Sequence, residues 1–553
     1  MGALYLFRPE LETDPFVWGF GHRTILFFRR DLMNRFHRYI ALLLCAAMVC
    51  ATPVSASMRD WDVAAQFVHC QLRTPAAGDT YGDWEIFAAA RAGLSVPEGY
   101  FAAWLTMAER VLAQNGGKLS GPVTGNMRLA LALLALDQDL TDVGGYDLLS
   151  VITDTQRVCR TTVMGPAFGI LILKNCGGDP AAEKVYLQHL LDKQLADGGW
   201  ALSGQIADPD ATAMTLQALS LCRKEAGVQA AIDRGLARLS AIQEPNGGFT
   251  AWGTTGCESV AQTVIALTTL DIPLNDGRFV KNGNTLLDAM LSYRLADGSF
   301  SHTPGGAYDI MATQQALLAL DALRREEAGL SGIYHLSDRV TVDRDFMGLP
   351  ARDKRISVPA KTVNIPTFTD ISGLKQAEAI LELAHRGILN GVGNGKFDPN
   401  GQFTRAQFCA MAQRALTLPA GSGQQFSDVP AGEWYAAAVN AAAAFGAVKG
   451  VGNGRFDPNR VITRQEAAVL MSRLADTCGM NTAMNDAAVR NVLSAFGDYR
   501  ACADWATAGL AFCYANGILD DSALNIDPTA PVTRGEAAAM FYALLDGALL
   551  LED

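Results

Sequence analysis

A turn motif that recurs about every 50 residues constrains the fold of the middle of this chain most strongly. Its copies read Gln-Leu-Ala-Asp-Gly-Gly-Trp at 194–200, Gln-Glu-Pro-Asn-Gly-Gly-Phe at 243–249 and Arg-Leu-Ala-Asp-Gly-Ser-Phe at 294–300. Asp or Asn followed by Gly favours a tight turn with positive φ, and the closing aromatic residue can fill the space between neighbouring helix pairs. Spacings of 49 and 51 residues between the aromatic positions are typical of a stacked helical repeat.

An apolar, Ala-rich helix is predicted about ten residues after each turn. Asp210, Glu258 and Asp309 begin these helices, where a carboxylate suits the helix dipole and Asp can cap free N–H groups. One outer helix, turn and inner helix cannot bury an apolar face alone, but six stacked units can. Weaker copies of the inner helix lie upstream, at residues 84–94, 126–136 and 165–173.

The turn followed by an inner helix resembles the repeat of the prenyltransferase and squalene-cyclase family, over about residues 60–325. The resemblance implies an α/α toroid, a ring of helix pairs around a central cavity, which we assign to residues 57–325. It implies no single function, because enzymes, thioester-bearing complement domains and cobalamin carriers all use this ring.

The catalytic motifs of that family are incomplete here. Triterpene cyclases protonate their substrate with Asp-x-Asp-Asp, whereas the segment from Asp208 through Asp210 is followed by Ala211. Asp210 is therefore a candidate proton donor, with a role as helix N-cap preferred. Protein prenyltransferases hold zinc with Asp, Cys and His, but Thr255 stands two residues before Cys257. We expect no metal and no cofactor, and binding is favoured over catalysis.

The mouth of the ring is expected where the inner helices begin. Trp84, Trp252 and Tyr308 are the candidate ligand contacts there, because aromatic rings can stack on a planar or sugar-like ligand. Each of the three could instead serve packing. The toroid is accordingly predicted to bind a small molecule or a glycan, and the alternative is a wall-anchored extracellular enzyme of the terpene-cyclase or prenyltransferase-like toroid class.

A second repeat occupies the last third of the chain, after a charged stretch assigned as a linker at residues 326–365. Each copy begins with Phe-x-Asp and ends with Thr-Arg-x-Glu or Thr-Arg-x-Gln, and the first two contain a glycine-rich loop between these motifs. Thr followed three residues later by Glu or Gln is a capping box that predicts the start of a second helix. The copies are assigned to residues 366–418, 424–476 and 494–546.

This ordered recurrence resembles the S-layer homology (SLH) module. The resemblance implies a helical three-module pseudo-trimer that binds secondary cell-wall polysaccharide, often pyruvylated, in grooves between modules. An Arg at a helix N-terminus presents a planar fork at an anion-friendly position. By this resemblance Arg405, Arg464 and Arg534 are the candidate contacts to the anionic sugar, and Trp434 and Trp505 either stack on a sugar face or pack in the core.

The Asp of each Phe-x-Asp motif is a further candidate for the polysaccharide site. These residues are Asp370, Asp428 and Asp498. Capping of the first helix is at least as good an interpretation for them as contact with sugar.

The modules depart from the family pattern in two places. Lys375 stands where the first module should have Trp, and that module ends its motif in Gln407. The third module replaces the glycine-rich loop by residues 520–528, which bring two more acids. Acids beside an anionic ligand are unfavourable. We therefore expect Arg534 to lie beside this acidic loop, and loss of Arg464 to weaken wall binding more than loss of Arg534.

An export signal is predicted near the N-terminus. A basic stretch at 35–38 precedes an apolar stretch at 39–51 that is too short to span a bilayer, and Val-Ser-Ala at 54–56 offers cleavage before Ser57. Residues 33–56 are assigned as the signal peptide, with an uncleaved anchor as the alternative, and 1–32 as an upstream start extension. A net charge of −12 argues against nucleic acid as a partner. The expected location is secreted, at the cell wall or S-layer surface.

Overall fold

The structure is a computed structural model. It describes residues 56–72, 75–160, 162–251, 253–346, 348–362, 366–421 and 425–551. Residues 60–553 form one compact unit. The predicted start extension and all but the last residue of the predicted signal peptide lie outside the described residues. Within the described parts of the chain, no helix has both the length and the apolar character needed to cross a membrane.

Helices account for most of residues 56–327. In chain order they are α1 (Ala56–Gln71), α2 (Thr80–Ala92), α3 (Tyr100–Gln114), α4 (Val123–Ala135), α5 (Leu148–Thr153), α6 (Thr155–Val158), α7 (Met164–Cys176), α8 (Pro180–Asp192), α9 (Pro209–Ser220), α10 (Val228–Ile242), α11 (Cys257–Thr269), α12 (Leu286–Leu291) and α13 (Ile310–Glu327). A two-stranded antiparallel ribbon, β1 (Thr250–Ala251) and β2 (Thr254–Thr255), precedes α11.

Six of these helices form a closed inner ring, which confirms the predicted α/α toroid. α2 packs on α4, and the contacts continue through α7, α9 and α11 to α13, which packs back on α2. The remaining helices alternate with them along the chain and form the outer layer. The inner helices are rich in Ala and Leu and are buried nearly all round, as expected for the inner layer of such a ring.

The repeated turns connect neighbouring pairs of helices. Their aromatic residues Trp200, Phe249 and Phe300 are fully buried. The amide of Gln194 donates to the carbonyls of Gly198 in its own turn and Ala231 on the next outer helix, at 2.7 and 2.8 Å. Gln243 makes the equivalent pair of bonds in the second turn, so these two turns fill a gap and tie their repeat to the next one.

The charged segment assigned as a linker packs on the toroid with its first part. Ile333, Tyr334 and Leu336 are buried in the toroid core, and the Tyr334 ring stacks on Phe87 with centroids 5.5 Å apart. Asp338 lies beside Arg91 and Arg325, two arginines of the inner helices. Residues 329–340 thus cover the end of the ring at which the inner helices finish.

The last third of the chain contains three helical modules. Their helices are α14 (Ala377–His385) and α15 (Arg405–Ala415), α16 (Ala436–Ala444) and α17 (Arg464–Thr477), then α18 (Asp486–Leu493), α19 (Thr507–Ala515) and α20 (Arg534–Gly547). The second helix of every module, α15, α17 or α20, begins with the predicted capping box.

The modules exchange contacts around a pseudo-threefold axis. α15 packs on α16, α17 packs on α19, and α20 packs back on α14. At the centre the backbone N–H of Phe403 donates to Val532, that of Val532 to Ile462, and that of Ile462 to Phe403, at 2.9 to 3.0 Å. This closed triangle of hydrogen bonds confirms the predicted pseudo-trimer.

Candidate functional site

Each candidate arginine reaches into the loop of a neighbouring module. Arg405 Nε donates to the Phe456 carbonyl of the second module at 2.9 Å, and Arg464 Nη1 donates to Ile526 of the third at 2.6 Å. Arg534 Nε donates to Phe397 of the first module at 3.0 Å. We call the three resulting sites groove A (loop of the first module), groove B (loop of the second) and groove C (loop of the third).

The expectation that Arg534 lies beside the acidic loop 520–528 is wrong. That loop belongs to groove C, where Asp520 Oδ2 lies 3.5 Å from Lys375 Nζ and the arginine is Arg464. The reason is the cyclic exchange: an arginine at the start of a second helix faces the next module's loop around the axis. A local motif does not specify that neighbour.

Groove A contains two arginines without a carboxylate partner among the described residues. It is a cavity of about 240 Å³ lined by Asn390, Gln407, Arg414, Trp434 and Arg534, among others. Arg534 donates to the Phe397 and Asn390 carbonyls, and Arg414 to Ala410 of its own helix. Gln407 stands where the other modules have Glu, so neither arginine has a carboxylate partner within ion-pair distance among the described residues, and Asp398 and Asp370 offset only part of the charge of Arg534.

The environment of Arg534 is electrostatically unfavourable in the absence of an anion. Burial lowers the pKa of Arg534, and the neighbouring Arg414 guanidinium lowers it further against the opposing effect of Asp398. Its guanidinium also lies 4.7 Å from the centroid of the Phe397 ring, in a cation–π contact. An anion placed between Arg534 and Arg414 would relieve their repulsion.

Groove C is internally neutralised. Arg464 Nη2 pairs with Glu536 Oε1 at 2.8 Å. Lys375, at the position where a Trp was expected, reaches Asp520 and the Ser522 hydroxyl at 3.2 Å. Both cations of this groove therefore already have partners.

Groove B is intermediate. Arg405 is almost fully buried and lies 3.5 Å from Glu466. Glu466 is held more closely by Arg460, at 2.6 Å. Burial raises the pKa of Glu466, but the hydrogen bonds from Arg460 and the Thr463 backbone outweigh it, and the pKa is lowered. Glu466 is therefore charged and offsets part of the positive charge in this groove.

The two candidate tryptophans are exposed. Trp434 is 65% and Trp505 is 59% solvent-accessible, which excludes the core-packing alternative for both. Trp434 lines groove A. Its free face is available to a sugar ring beside the two arginines.

The aspartates of the Phe-x-Asp motifs organise the loops. Asp428 accepts hydrogen bonds from the backbone N–H groups of Phe456 and Asp457 at 2.7 and 2.9 Å, and Asp370 and Asp498 make the equivalent pairs. The capping interpretation is therefore wrong for these residues. The loop carbonyls in turn accept hydrogen bonds from the arginines. Asp428 and its counterparts therefore fix the loop conformation that positions the arginine in each groove.

The toroid candidates occupy different environments. Trp84 is 5% exposed and packs against Phe87 and Phe168 inside the ring. Tyr308 is 46% exposed and contacts Phe67 with ring centroids 5.4 Å apart. Trp252 lies outside the described residues. Tyr308 is thus the accessible aromatic side chain of the two that the structure describes.

Asp210 does not cap its helix, contrary to the preferred interpretation. The N-cap of α9 is Asp208, whose carboxylate accepts from the Ala211 N–H at 2.9 Å. Asp210 lies two residues after Asp208, in the first turn of α9. Burial raises the pKa of Asp210 to about 6, against the opposing effect of a hydrogen bond with Ser259. One of its carboxylate oxygens is buried without a protein partner.

A second acid lies next to Asp210. Glu258, at the start of α11, is 2.8 Å from His302 Nδ1, and both groups act on the Asp210 carboxyl electrostatically. His302 lies 44 residues after Glu258, in the following repeat, so sequence inspection did not associate them. The repeats carry a signal for this contact, because stacked repeats place the turn of one unit next to the start of the inner helix of the preceding unit.

No group of three or more metal-ligating side chains occurs in the parts of the chain that the structure describes. Cys257, the residue closest to a prenyltransferase zinc ligand in sequence, is fully buried. Burial raises the pKa of its thiol well above the ordinary value. A buried thiol of this kind is a packing residue and not a nucleophile.

A profile of the S-layer homology domain matches residues 367–409, 425–468 and 495–538, so the chain carries three SLH domains. It is 32% identical over 191 residues to the surface-layer 125 kDa protein of Lysinibacillus sphaericus, covering 34% of this chain and 15% of that protein. It is 35% identical over 183 residues to the amylopullulanase of Thermoanaerobacterium thermosulfurigenes, covering 32% and 10%. The chain thus spans no more than 15% of either relative.

Solved structures similar to this chain include two toroid enzymes. The unsaturated glucuronyl hydrolase from Bacillus sp. GL1 is 14% identical with a TM-score of 0.37, covering 51% of this chain and 99% of that one. The type II terpene cyclase MstE from Scytonema is 12% identical with a TM-score of 0.34, covering 49% and 99%. Neither likeness indicates an activity for this chain. The SLH domains and the surface-layer relative indicate a cell-surface or cell-wall location.

Proposed function

We propose that the protein is held at the cell surface by groove A, which binds an acidic sugar of a secondary cell-wall polysaccharide. The observation that carries this proposal is the pair Arg414 and Arg534, two partly buried guanidiniums facing one cavity with no carboxylate partner in the described structure. A carboxylate such as that of a pyruvyl ketal can accept two parallel N–H bonds from one guanidinium. Trp434 then offers a face for the sugar ring.

The three grooves are proposed to contribute unequally. In groove C an incoming carboxylate competes with Glu536 for Arg464 and meets Asp520 as well. In groove B it meets Glu466 beside Arg405. Groove A has Gln407 at the corresponding position, a neutral residue that still supplies the capping box. Charge therefore favours binding in groove A first, then B, then C.

Binding of the full chain to purified cell walls tests this proposal. We expect the protein to sediment with untreated walls and to remain in solution with walls from which mild acid has removed ketal-linked pyruvate. Binding should weaken as salt is raised, because the contact is an ion pair near the surface. Equal binding to treated and untreated walls would show that the carboxylate is not the recognised group.

We propose that the anchoring modules present the toroid at the cell surface. The toroid would bind a small molecule or glycan at its mouth, where Tyr308 is exposed. A second candidate is an extracellular acid–base enzyme. It is favoured by Asp210, a carboxyl with a pKa of about 6 next to the Glu258–His302 pair. Groups tuned towards neutral pH in this way are suited to donate a proton and recover it.

Replacement of Asp210 separates these two candidates. Soluble cell-wall glycan fragments would be incubated with the full chain and the products resolved by mass spectrometry. If the toroid is an enzyme, Asp210→Asn should lower turnover by about a hundredfold or more, while Asp208→Asn, which keeps a capping oxygen and removes a charge that only raises the pKa of Asp210, should lose much less. Absence of any product with the parent chain, or identical turnover in Asp210→Asn, contradicts the enzymatic candidate.

A further inference from the structure

The second helices of the three modules run from the grooves to the opposite face of the pseudo-trimer. α15, α17 and α20 each begin at a groove arginine. At a rise of 1.5 Å per residue, the 14 residues of α20 span about 21 Å, so its C-terminus lies well away from groove A. We call the face formed by the three C-termini the base. Neither proposed role uses this face.

A segment of the chain crosses the base and meets all three helix ends. We call residues 344–357 the clamp, of which the structure describes all but residue 347. The second residue after each helix has positive φ; these residues are Thr417, Gly479 and Leu549. Leu549 packs with Leu349 of the clamp. A Cβ on Gly479 would lie 2.6 Å from the backbone nitrogen of Arg352. Thr417 Oγ1 lies 2.6 Å from Ser357 Oγ. The clamp therefore passes over the third, the second and then the first module.

Leu549 occupies a backbone position that favours glycine. Its φ of +56° is left-handed, a conformation that costs free energy for any residue with a Cβ. The second module has Gly479 at the equivalent position. The Leu549 side chain is only 3% exposed, and it forms a small apolar cluster with Ala103 of the toroid and Leu349 of the clamp, separate from the cores of the toroid and of the modules. The contact of this leucine with the toroid thus offsets the unfavourable backbone conformation.

One face of the outer helix α3 supplies the toroid side of this contact. Ala103, Met107 and Arg110 are spaced by four and three residues, so they lie on the same side of the helix. Ala103 is in the apolar cluster, and Met107 packs against it. Arg110 Nη2 lies 3.0 Å from Asp546 Oδ1 at the end of α20, and Arg110 Nη1 donates to the Asp546 carbonyl at 3.0 Å. An apolar contact and an ion pair therefore join α3 to the base.

The clamp also contacts the toroid and the modules directly, at its two ends. At its first end, the Phe346 ring lies against Gly99, where a Cβ would come within 2.0 Å of the ring. Arg344 Nη1 lies 2.7 Å from Glu109 Oε1 of α3. Towards its other end, Ile356 is buried in the core of the three modules. The same short segment is thus fixed to both halves of the chain.

We propose that the clamp and this face of α3 hold the toroid and the three modules together as one rigid body. The toroid is then carried on the base, on the side of the pseudo-trimer away from the grooves, and its orientation relative to a polymer in those grooves is fixed. A toroid on a free tether would instead sample many orientations. The inference depends neither on which groove binds the polymer nor on what the toroid binds.

Limited digestion of the full chain with trypsin tests the proposal, because the clamp contains four cleavage sites: Arg344, Arg352, Lys354 and Arg355. A protease cuts where the backbone can open, so the rate of cleavage at these residues reports release of the clamp. Leu549→Gly should raise that rate at least about tenfold. Glycine suits the positive φ, so this variant removes the packing side chain without weakening the end of α20. Leu524→Gly is the matched control, since Leu524 is 85% exposed in the same module, and it should be cut like the parent. If the parent is cut in the clamp as fast as Leu549→Gly, the segment is a free tether and the proposal is overturned.

Ala103→Asp provides a second variant, which places a carboxylate in the apolar cluster from the toroid side. In small-angle X-ray scattering we expect both Ala103→Asp and Leu549→Gly to have a radius of gyration at least about 10% larger than that of the parent, with unchanged circular dichroism. Because the two substitutions lie in different halves of the chain, misfolding of one half cannot explain a change seen in both. The same radius of gyration in all three chains would contradict the proposal.

Discussion

Replacing Asp338 by Ala is expected to destabilise the toroid by about 2–4 kcal/mol. Asp338 Oδ1 lies 2.8 Å from Arg91 Nη1, and Asp338 Oδ2 accepts a hydrogen bond from Arg325. Both arginines are 97% or more buried. Asp338 is the only carboxylate that pairs with Arg91 among the described residues. Its removal leaves the buried Arg91 guanidinium without a counter-charge in a region of low dielectric constant. A fully buried pair would cost about 3–5 kcal/mol, and half-exposure of Asp338 reduces this figure.

Urea unfolding of the two chains at several pH values measures the effect. Burial raises the pKa of Asp338, but hydrogen bonds from Arg325 and Arg91 outweigh it and hold the pKa well below its ordinary value. A carboxyl with a depressed folded pKa contributes its full stability above the unfolded pKa of about 4 and loses it as the pH falls. The difference between parent and Asp338→Ala should therefore be largest near pH 7 and shrink below about pH 4.

A nearby acid offers a control for this prediction. Asp345→Ala removes an exposed carboxylate that pairs with no arginine among the described residues, and it should change the free energy of unfolding by less than about 0.5 kcal/mol. If Asp338→Ala were no more destabilising than Asp345→Ala, residues 329–340 would not hold the ring closed at this end.

Replacing Arg534 by Ala is expected to weaken wall binding about tenfold to a hundredfold, which corresponds to loss of a charge-assisted contact of about 1.5–3 kcal/mol. Arg464→Ala is expected to weaken it less than about threefold, because Arg464 is already paired with Glu536 at 2.8 Å and an incoming carboxylate would have to compete with that pair. This order is the reverse of the one predicted from sequence. Binding isotherms on purified walls would measure both variants.

Gln407→Glu gives a sharper version of this test, because it removes nothing from groove A. Glu keeps the capping box, as Glu466 and Glu536 do in the other modules, but adds a carboxylate beside two arginines that have no ion-pair partner among the described residues. We expect it to weaken wall binding by about tenfold without lowering the melting temperature. Full binding by Gln407→Glu would indicate that the polymer does not use the groove's net positive charge.

Both folds could be predicted from the sequence because each region consists of a repeated sequence motif. The Asp-Gly turns with their aromatic residues, and the capping boxes that begin with Thr404, Thr463 and Thr533, are local signals whose chemistry fixes local structure. Repetition then requires stacking, since one unit cannot bury its apolar face. The closed ring of inner helices and the pseudo-trimer follow from these signals.

The sites were harder to predict because they depend on which neighbour a side chain meets. Arg534 and the loop that it contacts are 137 residues apart, and only the cyclic exchange of modules brings them together. Asp208 and Asp210 are both acids at a helix start, and backbone geometry at that turn decides which of them caps α9. Tyr334 lies in a charged stretch without a periodic pattern, so its burial under the ring had no sequence signal.

Isothermal titration of the full chain with a short wall glycan carrying one pyruvyl ketal tests the central claim most directly. Unequal grooves predict one tight site per chain whose affinity falls at least about tenfold in Arg534→Ala and in Gln407→Glu and changes less than about threefold in Arg464→Ala. Three equivalent sites, or the same affinity for the glycan after its pyruvate is removed, would contradict it.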